Sequence, residues 1–319
     1  MEQILIHPQG PKLSRIVYGV WRIIDAKLTK QEILQIVETC LELGIDWFDH
    51  ADIYGNYECE QIFGEAISNN TSLKKKISIV TKSDICLISD KYPERKVKYY
   101  DTSAKHLSTS VENSLKKIGV EKIDIFLIHR PDPLMDPEKT GKCLDDLIHS
   151  GKIQFAGVSN FTPSQFKLLQ SNMSNPLVTN QIEINPMRIE PFINGDLDFL
   201  MEKKISPMAW SPMAGGNLVR DLTNSSKQNT DSVQNNSLNK SSANIPNLND
   251  ILHTIARETE QTVPQTIIAW LLNHPSKIIP VIGTTKKDRI LELAESMSIQ
   301  MKQENWFRIY ESALGTEVP

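Results

Sequence analysis

Short aliphatic or β-branched runs alternate along this chain with longer stretches whose apolar residues recur every three or four positions. The short runs are Ile16–Val20, Ile45–Phe48, Ile77–Thr81, Ile123–Ile128, Phe155–Val158, Val178–Ile182, Ser206–Trp210 and Ile278–Ile282. Their length and composition predict eight strands. Between them, Ile33, Ile36, Val37, Cys40, Leu41 and Leu43 fall on one helical face. Val111, Leu115 and Ile118 repeat the pattern, as do Cys143, Leu144, Leu147 and Ile148. Eight strand–helix units in series, with no large shift of composition, predict a closed (β/α)8 TIM barrel as a single domain over 1–319. The competing architecture, an open doubly wound sheet, carries a Gly-rich turn after its first strand. Here Tyr18-Gly19-Val20-Trp21 has one glycine, and no GxGxxG occurs.

The ends of the units agree with this parse. Thr29 precedes the first helix with Glu32 three residues on, the spacing of a capping box. Gly44, Gly119 and Gly151 follow helix ends and stand a few residues before the next strand, as short helix–strand connections require. Leu5-Ile6 and Leu13-Ser14 flank Pro8 and Pro11 and predict a small hairpin ahead of the barrel. Trp47, inside the second strand, is expected to pack between barrel and helix. One segment breaks the rhythm. Thirteen of the 26 residues in 222–247 are Asn or Ser, too few apolar anchors to offset ordering entropy, so a disordered insertion is expected there.

Composition narrows the class. At 319 residues the chain buries enough surface to fold without staples. Lys+Arg 35 against Asp+Glu 39 leaves a net charge of -4, which argues against a nucleic-acid partner. No apolar run approaches the roughly 20 residues of a membrane span. The first residues hold no apolar signal core, and Cys40, Cys59, Cys86 and Cys143 form no CxxC pair. Reduced thiols and a cytoplasmic location are therefore expected. Histidines 7, 106, 149, 253 and 274 show no ligand spacing, so no metal is predicted.

In a barrel, residues at the C-terminal strand ends converge on one mouth. Read in order, these are Asp49 and Tyr54, Lys82, His129, Ser159 and Asn160, Gln181, Trp210 and Ser211, then Gly283 and Thr284. A phenol ionising near ~10 is a poor acid–base group at neutral pH unless an ammonium beside it lowers that value. Asp49 would hold the Lys82 ammonium, Lys82 would tune Tyr54, and His129 would orient a carbonyl oxygen. This group suits protonating an alkoxide formed as hydride arrives. It contains no hydride donor, which implies a nicotinamide cofactor.

These residues sit in stretches that resemble the aldo-keto reductase family along nearly the whole chain. The stretches are Trp47-Phe48-Asp49-His50-Ala51-Asp52-Ile53-Tyr54-Gly55, Ile79-Val80-Thr81-Lys82, the run Ser114-Leu115 through Ile123-Asp124-Ile125-Phe126-Leu127-Ile128-His129-Arg130-Pro131, and Gly157-Val158-Ser159-Asn160-Phe161. Asn180-Gln181-Ile182-Glu183 and Ala209-Trp210-Ser211-Pro212-Met213 follow. Ile128-His129-Arg130-Pro131-Asp132-Pro133 and the AWSPM stretch look like a bacterial oxidoreductase subgroup. The resemblance implies Tyr54 as general acid, with Lys82, Asp49 and His129 in the roles above. It implies Ser159, Asn160 and Gln181 at the nicotinamide carboxamide and Trp210 stacked on the ring. Ser211, Met213, Gly215 and Gly216 would pass close to the pyrophosphate, and Gly19, Val20 and Trp21 would line the mouth. His50 and Asp52 are read as structural.

At the adenosine end the family's Pro-Lys-Ser pattern is altered. Gly283 holds the place of the expected Lys, while Thr284 and Arg289 remain to bind a 2′-phosphate and Glu292 approaches the adenine. The expectation is an NADPH-dependent monomeric reductase of a small carbonyl substrate. Two rivals remain. One is a nicotinamide-nucleotide-sensing regulatory subunit, as in the potassium-channel β subunits that resemble this family. The other is a metal-dependent hydrolase, for which ligand clusters are lacking. Specificity would come from Trp21, the Ser83–Asp101 loop with Arg95 and Lys98, the Arg130–Pro137 loop and the segment Met301–Pro319.

Overall fold

The computed structural model describes residues 1–219 and 245–319. Its eight barrel strands are β1 (Val17–Gly19), β2 (Trp47–Asp49), β3 (Ser78–Ser83), β4 (Ile123–Ile128), β5 (Ile153–Ser159), β6 (Leu177–Glu183), β7 (Met208–Trp210) and β8 (Ile279–Ile282). All pair in parallel and in chain order, and β8 closes on β1 through Val281–Val17 and Ile282–Tyr18. Each of the eight predicted runs overlaps one strand. The residues preceding the barrel form the antiparallel pair Gln3–Leu5 and Lys12–Ser14.

Period-two alternation sorts each strand into two cores. Val17, Trp47, Val80, Ile125, Leu127, Met208, Ile279 and Val281 fill the bore, where Ile4, Ile6 and Leu13 of the hairpin join them. Tyr18, Phe48, Ile79, Phe126 and Ile128 point outward and pack beneath the helices. Trp47 therefore lies inside the barrel, not between barrel and helix as its sequence position suggested. The short β2 sends Phe48 outward, so both of its neighbours face the bore. The same parity carries Asp49, Lys82 and His129 to the top of the bore, one pleat above Trp47, Val80 and Leu127. β6 needs a correction to do likewise. Its register shifts between Leu177 and Asn180, so Val178 packs in the bore cluster while Gln181, three residues on, reaches Asp49.

Local signals hold where they were read. Thr29 and Glu32 form the reciprocal capping box of the helix Lys30–Glu42. Gly44, Gly119 and Gly151 all adopt left-handed backbone, φ 75°, 74° and 73°. Most of the predicted insertion 222–247 lies outside the described residues. Its last three residues instead open the helix Ile245–Glu258. The C-terminal helix Gln303–Leu314 packs on the outer layer, with Trp306 stacked on Trp270 at 5.2 Å. No helix among the described residues is long and apolar enough to cross a membrane.

Candidate active site

The top of the bore is built around one buried ammonium. Lys82 Nζ donates to Asp49 Oδ2 at 2.7 Å, to the His50 carbonyl at 2.7 Å and to the Tyr54 hydroxyl at 3.3 Å. Its side chain is 1% exposed and that of Asp49 3%. Such a pair persists because every proton on the ammonium has an acceptor. The other Asp49 oxygen, Oδ1, accepts from Gln181 Nε2 at 2.7 Å. Asp49 is thereby locked from both sides, and Lys82 is aimed at the phenol.

Tyr54 follows β2 across a turn that the sequence makes possible. Gly55, Asn56 and Tyr57 are three consecutive left-handed residues, φ 56°, 53° and 69°. A Cβ at Gly55 would collide with the Ile24 side chain, so that position requires glycine on two counts. The Tyr54 ring meets His129 edge-on at 6.1 Å and lies 6.4 Å from Trp21, which is half exposed at the mouth.

The electrostatics differ from the sequence expectation in one respect. Burial raises the Tyr54 phenol above its ordinary value, and the opposing pull of the Lys82 charge does not cancel it. The phenol is therefore held as a proton donor, and Lys82 limits the rise. Burial works against the Lys82 ammonium, but Asp49 and Tyr54 outweigh it and the net shift is upward. His129 is pushed well below its ordinary value by burial and then by the charges of Arg130, Lys82 and Lys98. A neutral imidazole faces the phenol, with Nδ1 lacking a partner among the described residues. His50 is also neutral, its ring buried against Phe63 and its pKa lowered to about 3. Lys82 uses the His50 carbonyl and not the ring.

Beside this group lies an amide shelf. Ser159 Oγ donates to the Gln181 carbonyl at 2.7 Å and accepts from Asn160 Nδ2 at 2.8 Å. Asn160 Oδ1 accepts from Trp210 Nε1 at 3.0 Å, fixing the indole edge. Beyond Trp210 the backbone turns left-handed at Ser211 (φ 50°), Ala214 (φ 49°), Gly215 (φ 69°) and Gly216 (φ 99°). Among the described residues, no atom would contact a Cβ at either glycine within 4 Å. Met213 is half-buried under the same loop, and Arg22 Nη2 reaches the Gly215 carbonyl at 2.9 Å.

The far end is sparser. Gly19 and Gly283 stand together where β1 and β8 end, the Gly19 carbonyl lying 3.7 Å from the Cβ position of Gly283. Val20 is buried behind them. The Thr284 carbonyl accepts from Tyr18, and its hydroxyl accepts from the Lys286 amide at 3.3 Å. Lys286 and Arg289 are exposed, and neither has an acidic partner among the described residues. Glu292 is half-buried and its carbonyl accepts from Gln265.

Two cations of the loops expected to set specificity stand near the mouth. Arg130 places its guanidinium 5.6 Å over the Trp210 ring and donates to the His129 carbonyl at 2.7 Å. Strand alternation would have sent it away from the bore; the turn after β4 brings it back. The Lys98 ammonium is lowered by burial and by the charge of Arg130. The buried acids Glu60 and Asp84 escaped notice, and Asp52, read as structural, is buried with them. Asp52 rises to about 7 through burial and the nearby charge of Glu60. No group of three metal-ligating side chains occurs among the described residues.

The family model for the aldo/keto reductase family matches residues 15–313. The chain belongs to that family and is an oxidoreductase with a (β/α)8 barrel. It is 44% identical over 308 residues to a 6-dehydroglucose reductase of Agrobacterium fabrum, covering 96% of both chains. It is 38% identical to oxidoreductase YdhF of Escherichia coli over the full length of both. The solved structure of the thermostable aldo-keto reductase Tm1743 superimposes with a TM-score of 0.75 at 20% identity, covering 98% of this chain and 100% of that one. Four relatives above 30% identity carry reductase or oxidoreductase names, which does not favour the regulatory-subunit alternative.

Proposed function

We propose that the protein reduces the aldehyde of a polyhydroxylated, sugar-like substrate with NADPH, and that Tyr54 is the general acid. The observation that carries this reading is the Lys82 ammonium, held at once by Asp49, the His50 carbonyl and the Tyr54 hydroxyl. Bound NADPH supplies the hydride. Its carboxamide fits the shelf of Ser159, Asn160 and Gln181, and its ring fits the fixed face of Trp210. The turn of Ser211, Met213, Gly215 and Gly216, with space beside its two glycines among the described residues, would lie along the pyrophosphate. Thr284 and Arg289, with Lys286, leave unpaired donors for a 2′-phosphate, and Glu292 stands near the adenine side.

His129, neutral and aimed at the phenol, hydrogen-bonds the carbonyl oxygen and orients it. Tyr54 gives its proton to that oxygen as negative charge develops. Lys82 stabilises the phenolate that results, and Asp49 with Gln181 keeps Lys82 in line. Gly19, Val20 and Trp21 close the side of the mouth. Arg130 and Lys98 supply donors to the oxygens of the substrate, in keeping with relatives named for a sugar aldehyde. The reading also places the protein in the cytoplasm as a monomer.

The test follows nicotinamide absorbance with D-glucose 6-aldehyde, propanal and each nucleotide. NADPH consumption that favours the sugar aldehyde, and that falls about 10²-fold or more in Tyr54→Phe, is expected. Equal use of NADH, or retained activity in the variant, overturns the corresponding half of the reading.

A further inference from the structure

Residues 84–101 leave the end of β3 and return to the helix Ala104–Ile118. Their base is the short antiparallel pair Ile85–Cys86 and Tyr99–Tyr100, so Lys98 sits beside that base. Away from that base, where Ile85 and Cys86 are buried, the loop buries little apolar surface of its own. Ile88 is 63% exposed, Val97 64% and Tyr99 43%. Beneath it lies a polar cavity of about 180 Å³, lined in part by Asp52, Tyr57, Arg95, His106 and Lys117. Apolar packing therefore does little to fix this loop, and polar attachments must.

At its start the loop is held by Asp84, which accepts from the Arg130 amide at 2.9 Å; farther out, its attachments gather on the turn directly after Tyr54. Asn56 bonds Asp90 and Ser89, and Glu58 pairs with Lys91 at 2.7 Å. These groups are exposed and contribute little. Tyr57 is different. It is 7% exposed, and its hydroxyl accepts from the Leu87 amide at 2.9 Å and from Arg95 Nη1 at 2.8 Å. The Arg95 guanidinium lies 3.7 Å over the Tyr92 ring, and Tyr92 meets Tyr57 edge-on at 5.0 Å. Tyr57 does this from left-handed backbone, φ 69°, a costly conformation for a bulky aromatic. The strain is offset by what the side chain reaches.

We infer that Tyr57 is a positioning residue for substrate specificity. Its phenol ties loop 84–101 to the turn that carries Tyr54, while the loop's base, next to Lys98, is joined to the Arg130 amide through Asp84, so that the cations of the loop are held over the mouth. The inference rests on the sugar-aldehyde reading only for the choice of substrate. Tyr57 touches neither the phenol of Tyr54 nor the shelf of Ser159, so its loss leaves the proton transfer and nucleotide site intact.

The test uses Tyr57→Phe, which keeps the edge-on ring contact with Tyr92 and removes the acceptor, and Arg95→Met, which removes one donor. Each is expected to raise KM for D-glucose 6-aldehyde about tenfold, as loss of a buried charge-assisted bond does, with kcat within about twofold. KM for propanal and NADPH affinity should not move. Because the two groups act on each other, the double variant should be little worse than either single one. Hydrogen exchange at the Leu87 amide should accelerate in Tyr57→Phe whatever the substrate is. A wild type inert toward the sugar aldehyde defeats the substrate reading alone. Unchanged exchange at Leu87 defeats the tether. Equal KM changes for both aldehydes, or a lower melting temperature with unchanged kinetics, reduce Tyr57 to a structural residue and overturn the inference.

Discussion

The reacting end of the candidate cofactor groove and its adenosine end are built by different means. At the reacting end, Asp49, Lys82, Gln181, Ser159 and His129 are all buried, and a chain of hydrogen bonds runs from Gln181 through Asp49 and Lys82 to Tyr54. These side chains stand on strands or, for His129, directly after one; barrel parity aims them inward, except Gln181, which the register shift of β6 turns to the bore. At the adenosine end, Lys286 and Arg289 are exposed at the start of the helix Lys287–Glu295 and make no ion pair among the described residues. The first region is held by its own hydrogen bonds. The second is a set of long side chains that a bound phosphate would organise. Preorganisation is thus concentrated where the proposed proton transfer would demand it.

The sharpest way to break this contrast is Lys82→Met. Asp49 would remain buried without its partner, a loss of about 3–5 kcal/mol of stability, and reductase activity should fall by about 10³-fold or more. Thermal unfolding and turnover measured together check both. Tyr54→Phe comes next. It should lower kcat by about 10²-fold while leaving NADPH affinity, read by tryptophan quenching, within about twofold. A change in affinity would mean that the two ends are not independent. At the other end, Arg289→Leu should weaken NADPH about tenfold and leave NADH unaffected, since only the former carries a 2′-phosphate. Equal weakening of both would remove Arg289 from phosphate recognition.

The smallest effect concerns Asp52, behind the turn that carries Tyr54. Its carboxyl stands at about 7 in the fold, against about 4 in an unfolded chain. Between these values the folded chain keeps a proton that the unfolded chain releases, so stability falls as pH rises from about 4 to about 7. Asp52→Asn abolishes that slope. From pH 5 to 8 the wild-type melting temperature should drop by about 2–4 °C more than that of the variant. Parallel curves would show that Asp52 ionises normally.

The barrel was legible because each strand run is short, aliphatic and followed by helical spacing, and the polar residues of the site interrupt those runs at their ends. Lys82 directly after Ile79-Val80-Thr81 and His129 directly after Phe126-Leu127-Ile128 are examples. Trp47 was misplaced because a three-residue strand offers too little alternation to tell its faces apart. Gln181 faces the bore only because β6 shifts register, which no pattern of side chains announces. Arg130 and Lys98 reach the mouth through turns and loops, where side-chain direction is decided by tertiary contacts. The direction of the Tyr54 shift escaped for another reason: the motif names the ammonium that lowers the value, but burial, which raises it, is set by the whole barrel.

The seam of the barrel joins residues that are synthesised at opposite ends of translation. Arg15 donates to the carbonyls of Leu272 and Ile278, the latter 263 residues away, and β1 finds its second neighbour only in β8. Until β8 emerges from the ribosome, β1 presents an open edge. The long loop that must close makes this pairing the entropically costliest in the molecule. Completion of the cylinder is accordingly a late event, and a nascent chain stopped before residue 279 would carry Asp49, Lys82 and Tyr54 with no eighth wall around them.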